Sequence, residues 1–194
     1  MFIQVLQGGA LDPAGIQRQL DRWLEELSPG ATGWLGSTAG VTDEGRFIGS
    51  FRFESEELAQ NNSDRAEQTQ WWNEMSKFLD TARFRNCPLV DVYKAGGSDE
   101  ARFVQVIESR VLDREGYRDA HTGLGATPRD DVIGGLVAWE GSHFTEIVYF
   151  TSEEDARRGE RSAPHTASLE RIWPLTQDLT YFDLREPWLV SPKT

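Results

Sequence analysis

A chain of 194 residues has room for one compact domain or two small ones that share a core. With 38% hydrophobic, 11% aromatic and 27% charged residues, it has the composition of a folded globular protein rather than a disordered one. Net charge is −12, with 9 basic and 14 acidic residues before Gly97 and 11 and 18 from there on, so neither half has the clustered positive charge that nucleic acid or an anionic membrane needs.

No apolar run approaches the roughly 20 residues of a membrane-spanning helix. The N-terminus, Met1-Phe2-Ile3-Gln4-Val5-Leu6, reads directly as a strand, without a basic segment or a small-residue cleavage site, so no signal peptide is expected. The single Cys87 precedes Pro88 at the head of an apolar stretch and excludes an intramolecular disulfide. It reads as a small buried hydrophobe, and such usage suits a reducing cytoplasm.

Residues 2–7 alternate as a strand. Asp12 then fits a helix N-cap with Pro13 at the first helical position, where its missing N–H costs nothing. Ile16, Leu20, Trp23, Leu24 and Leu27 recur at helical spacing up to Ser28-Pro29-Gly30. Residues 33–42 and 46–54 form a strand pair around Asp43-Glu44-Gly45, with Phe47, Phe51 and Phe53 on one face and Gly49 among them. A helical turn at 55–60 is followed by a break at Asn61-Asn62-Ser63. Asp64 with Glu67 resembles a capping pair that opens a helix carrying Trp71, Met75, Phe78 and Ala82. Leu89–Tyr93 is read as the fourth strand.

The half therefore reads β-α-β-β-α-β. A polar linker at 96–101 separates a first half-domain, 1–95, from a second, 102–194, in which the order recurs. The second half has a strand at 102–109, a helix from Asp113 to about Gly123, strands at 132–139 and 143–151, helical segments near 152–158 and 166–177, and a strand at 180–185. The repeat is also literal. Phe2-Ile3-Gln4-Val5, Leu11-Asp12 and Gly15 return 101 residues on as Phe103-Val104-Gln105-Val106, Leu112-Asp113 and Gly116. Phe47, Phe53, Ser55-Glu56-Glu57 and Ala59 return 97 residues on as Phe144, Phe150, Ser152-Glu153-Glu154 and Ala156. Two blocks recurring in the same order indicate a duplication. The second-half hairpin is apolar on both faces, which requires cover on both. Helices supply one cover, and a second sheet is the economical other.

The split βαβ order, the sheet-to-sheet inference and the repeated Phe-x-Ser-Glu-Glu block resemble the dimeric α/β-barrel superfamily, in particular its antibiotic biosynthesis monooxygenase-like branch, as a tandem fusion. The resemblance implies an α+β fold of two ferredoxin-like half-domains packed sheet to sheet as a pseudo-dimer, either monomeric or a weak homo-oligomer. It spans members that are cofactor-free oxygenases, haem enzymes and proteins with no known reaction, and fold alone does not choose among them. Haem-degrading members pair an Asn late in the first strand with a helical Trp and an axial His. Here Trp71 and Trp72 precede Ser76–Ala82, Arg83 stands where that His would be wanted, and the first strands end in Gln7 and Glu108. No cofactor is therefore expected.

Candidate chemistry lies where the copies disagree. Tyr117 and His121 fall on Ile16 and Leu20 of the first copy and share a helix face, a phenol beside a group that titrates near neutrality. The alternative is a structural, hydrogen-bonded pair. Glu146 falls on Gly49, between Phe144 and Val148. If Gly141-Ser142 forms the turn, Trp139 opposes Phe144, and Glu146 faces an apolar surface that would raise its pKa. A one-residue slip of the hairpin would put it in solvent instead. His143 and His165 read as solvated, and the tryptophans as packing. Gly134-Gly135, mid-strand, marks a bulge or a close backbone approach rather than a phosphate loop. No metal-ligand spacing or nucleophile triad is present.

Two functions are carried forward. One is a cofactor-independent, monooxygenase-like oxidoreductase acting on a small aromatic or polyketide-like molecule in the second half, with His121 and Tyr117 handling protons and Trp139, Phe144 and Glu146 lining the site. The other is a non-catalytic ligand-binding or interaction protein whose pocket is filled by side chains, with no cavity of roughly 300 Å³ beside His121.

Overall fold

A computed structural model describes residues 1–125 and 129–192. Strand β1 (Phe2–Ala10) leads into helix α1 (Pro13–Arg22). The Asp12 side chain accepts from the Gly15 N–H at 3.0 Å, as the Asp-Pro signal requires. The helix widens into a π-type turn over Trp23–Leu27 and closes at Ser28–Gly30. Strands β2 (Trp34–Val41) and β3 (Arg46–Phe53) form the expected hairpin, with Gly45 at φ +77° in its turn.

Helix α2 (Glu56–Ser63) starts on Ser55, whose hydroxyl accepts from the Leu58 N–H. It runs through Asn61-Asn62-Ser63, where a break was expected. Asp64 closes α2 and accepts from Gln60 rather than opening the next helix. Helix α3 (Ala66–Met75) begins without a side-chain cap and stops seven residues short of Ala82. After the tight turn Ser76–Phe78, the chain becomes strand β4 (Leu79–Cys87), antiparallel to β1 from Ile3↔Cys87 to Ala10↔Leu79. Its sequence, Asp-Thr-Ala-Arg-Phe-Arg-Asn, has no apolar alternation because it is an exposed edge.

Strand β5 (Leu89–Lys94), expected as the fourth strand of the first half, is instead an edge strand of the second sheet. The reciprocal exchange comes at the end of the chain, where β10 (Trp188–Val190) pairs with β2 through Trp188↔Ala39. Between them lie β6 (Phe103–Val111), α4 (Arg114–Gly125), β7 (Val132–Glu140), β8 (His143–Phe150), α5 (Glu153–Glu160), α6 (Ala163–Ile172) and β9 (Thr176–Leu184). The sheets have the orders β10-β2-β3-β1-β4 and β5-β7-β8-β6-β9, the same topology twice. Two compact units follow, Met1–Leu89 with the chain from Trp188 onward, and Val90–Pro187.

The duplication reaches into backbone detail. Asp113 and Ser152 repeat the caps of Asp12 and Ser55. Thr81 and Asp178, 97 residues apart, both sit at positive φ beside a bulge in the same edge strand. In the first unit the helices cover the face of Phe2, Leu6, Phe47 and Phe53, with Ile16, Trp23, Trp71 and Met75 packed on it. In the second unit Phe103, Val148, Phe150 and Ala156 form the corresponding cluster. The opposite faces are buried as well, at Ile3, Val5 and Ile48 in one sheet and Val104, Leu136, Ile147 and Tyr149 in the other. The reading of strands apolar on both sides therefore holds.

Candidate functional site

The hairpin β7–β8 sets the register of the site. Gly141 takes φ +61° at its turn, Trp139 opposes Phe144, and Val137 opposes Glu146. The slipped register is not adopted, and Glu146 is buried at 6% exposure on the face that meets α4. A bulge between Val132 and Gly134 reverses the alternation at the start of β7 and turns Val132 to that same face.

On α4, Tyr117 and His121 are one turn apart and reach down to this carboxylate. Glu146 Oε1 lies 2.8 Å from His121 Nε2 and accepts from the Tyr93 hydroxyl at 2.7 Å. The Tyr117 and His121 rings stack at 5.7 Å, Tyr93 meets His121 edge-on at 5.4 Å, and Tyr117 packs on Phe144 at 4.7 Å. Trp139 stands edge-on behind Tyr117 at 5.6 Å, and its indole N–H donates to Asp91 at 2.9 Å. Arg118 of α4 also holds Asp91, at 2.9 Å through Nε, so β5 is tied to both α4 and β7.

Burial works against a charged imidazole at His121 and is the largest influence on it. The charge of Glu146, the hydrogen bond to it and the charge of Asp91 outweigh that effect, and the His121 pKa lies above the ordinary histidine value. Burial, followed by the charge of Glu146, pushes the Tyr93 and Tyr117 hydroxyls far above the usual phenol range. Both phenols therefore stay protonated and do not act as bases. Proton acceptance falls to the Glu146–His121 pair.

A cavity of about 380 Å³ opens against this cluster. Tyr93, Tyr117, His121, Phe144 and Glu146 form one part of its wall. Ile107, Val132, Val148, Phe150, Leu169, Ile172 and Leu179 supply an apolar middle. A polar stretch beyond includes Gln105, whose amide donates to Glu160 at 3.3 Å and Asp183 at 3.1 Å, and Arg157, which holds Glu160 at 3.0 Å. The filled-pocket expectation fails on this cavity.

Of the five residues that the sequence singles out, Tyr117, His121, Phe144 and Glu146 come together on the cavity wall, whereas Trp139 is a buried support behind Tyr117 and does not line it. His143 is half-buried at the strand end, away from the site, and the His165 side chain lies outside the described residues. Among the described residues no group of three or more His, Cys, Asp or Glu is placed to hold a metal. Arg83, considered against a helical axial His, lies in strand β4.

No family model matches the chain, and no curated protein matches it. Solved structures do. A monooxygenase-like protein of Lactobacillus acidophilus NCFM superposes with a TM-score of 0.76 at 10% identity, over 98% of this chain and 99% of that one. A monooxygenase-like protein of Fusobacterium nucleatum gives 0.77 at 4% identity over 98% and 94%. An anthrone oxidase-like protein gives 0.65 at 10% over 97% and 92%. These likenesses show the fold, two ferredoxin-like units of the same topology in tandem. Identities this low establish the fold and nothing of the activity.

Within the second unit, Tyr93 is the residue that sequence reading missed, because it arrives on the exchanged strand β5. One signal for it was present. A Cβ at Gly135 would stand 2.0 Å from the Tyr93 ring and one at Gly134 would stand 2.2 Å from the Gly96 carbonyl, so the mid-strand glycines do mark a close approach. No helix of the described residues is long and apolar enough to cross a membrane.

Proposed function

We propose that the second unit binds a small, flat, hydroxylated aromatic or polyketide-like molecule and that the Glu146–His121 pair takes a proton from it. The electron-rich ring that results would react with dioxygen without a bound cofactor. One observation carries this reading: a buried carboxylate, paired with a histidine of raised pKa, faces a mostly apolar cavity of about 380 Å³. Proton removal from a phenol or an acidic C–H is the step such a pair supports, and the Tyr93 hydroxyl, whose one proton goes to Glu146, would hold that carboxylate in place as the acceptor.

Anthrone is the first molecule to try, since an anthrone oxidase-like protein shares the fold. Dioxygen uptake should exceed the uncatalysed rate. His121→Ala should lower it by about 10²–10⁴, the usual worth of a positioned acid–base group, while the circular dichroism stays unchanged. Turnover unchanged in His121→Ala would overturn the proton-transfer assignment. A binding-only role is favoured by one feature: Glu146 Oε1 already has two partners, Tyr93 and His121. Saturable binding of anthrone with no uptake in the intact protein would select that role.

A further inference from the structure

The first unit holds a second cavity, of about 260 Å³, at the place in the repeat that corresponds to the first. Its floor is Gln4, Leu6, Phe51 and Phe53, which are the duplicates of Gln105, Ile107, Val148 and Phe150. The chemistry differs. Among the described residues no charged side chain and no histidine lines it. Its walls are mainly rings, with Trp23, Trp34, Trp71, Trp72 and Phe84 joining Phe51 and Phe53, and its polar lining besides Gln4 is the neutral set Asn62, Ser63, Gln68 and Thr69. Where the second unit has Glu146, this unit has Gly49.

The tryptophans are first read as packing, and three of them are committed through their N–H groups. Trp23 donates to Gln68 at 2.7 Å, Trp34 to Ser37 at 3.2 Å and Trp71 to the Gln19 carbonyl at 2.7 Å. Trp72 is different. It is half-buried, it meets Phe84 edge-on at 4.8 Å, and its N–H has no partner among the described residues. Side chains on both helices and the sheet leave space between them rather than closing on one another.

We infer that this cavity is a second ligand site, which takes a neutral fused-ring aromatic bearing one hydrogen-bond acceptor and performs no chemistry on it. Flat rings fit walls made of ring faces and edges. A charged ligand would be desolvated without a counter-charge. The Trp72 N–H supplies the directional contact, to a carbonyl or ether oxygen. With no titratable group among its described lining residues, the site has nothing to take or give a proton, in contrast to the cavity of the second unit.

2-Methoxynaphthalene is a suitable probe, being neutral, two-ringed and without an acidic proton, so its binding is independent of any turnover in the second unit. Equilibrium dialysis and quenching of tryptophan fluorescence read it. Saturable binding is expected in the intact chain and in Val148→Phe, which fills the other cavity. Binding should be lost in Gln4→Phe, which fills this floor, and in Thr69→Trp, which blocks the cavity from an exposed helix position and guards against misfolding of the first variant. Trp72→Phe, which keeps a ring and removes the donor, should weaken binding about five-fold, the usual effect of one neutral hydrogen bond. No saturable binding in the intact chain, loss in Val148→Phe, or survival in Thr69→Trp would overturn the assignment.

Discussion

Glu146→Gln isolates the charge at the centre of the second-unit site. The substitution preserves shape and one carbonyl acceptor, so Tyr93 can keep a partner, but it removes the carboxylate 2.8 Å from His121 Nε2. In the intact protein, burial alone would depress the His121 pKa, and Glu146 is the main reason that it is raised. Without that charge burial should prevail, and the imidazole should titrate below the ordinary 6.5 rather than above it.

Stability follows by linkage. His121 holds its proton more tightly folded than unfolded, so its contribution is complete below pH 6.5 and fades as pH rises through the raised value. In the variant the sign reverses, because the unfolded chain binds the proton better and acid becomes destabilising. A charge-assisted hydrogen bond is worth about 1.5–3 kcal/mol and a neutral one about 0.5–1.5, so the variant should lose about 1–2 kcal/mol near pH 5.5 and much less near pH 9. NMR titration of the three histidines, with His121→Gln to assign the signal, gives the pKa, and urea unfolding at the two pH values gives the stability. An imidazole still titrating above 6.5 in Glu146→Gln would refute this account of the site.

Gly135→Ala should displace Tyr93, because the new methyl would stand about 2 Å from a ring held at its hydroxyl by Glu146; a loss of about 1–3 kcal/mol in chemical denaturation is expected, with weakened anthrone binding. Trp139→Phe removes the indole N–H from Asp91 and should cost about 1–3 kcal/mol while leaving the cavity wall intact, so binding should change less than stability. Asp12→Ala should lower stability by about 1 kcal/mol through the lost cap, with no effect on ligand binding to the second unit.

Local signals in the sequence determined much of this protein. The Asp12-Pro13 cap, the hairpins with their glycine turns, the two-sided burial of the strands and the duplication are written in residues close together along the chain, where a 2.0 or 3.6 period or a turn residue has a direct physical meaning. Disagreement between the copies singled out Tyr117, His121 and Glu146, because a polar side chain replacing an apolar one at a duplicated core position must be compensated nearby. Tertiary structure decided what lay outside any local pattern. Strand β4 is polar and exposed, so only pairing with β1 shows that it is a strand. The exchange of β5 and β10 between the sheets depends on which edges were open, and it brings Tyr93 to Glu146 across 53 positions of sequence. The open cavities also depend on tertiary structure, since the same aromatic spacing describes rings that pack shut and rings that leave room for a guest.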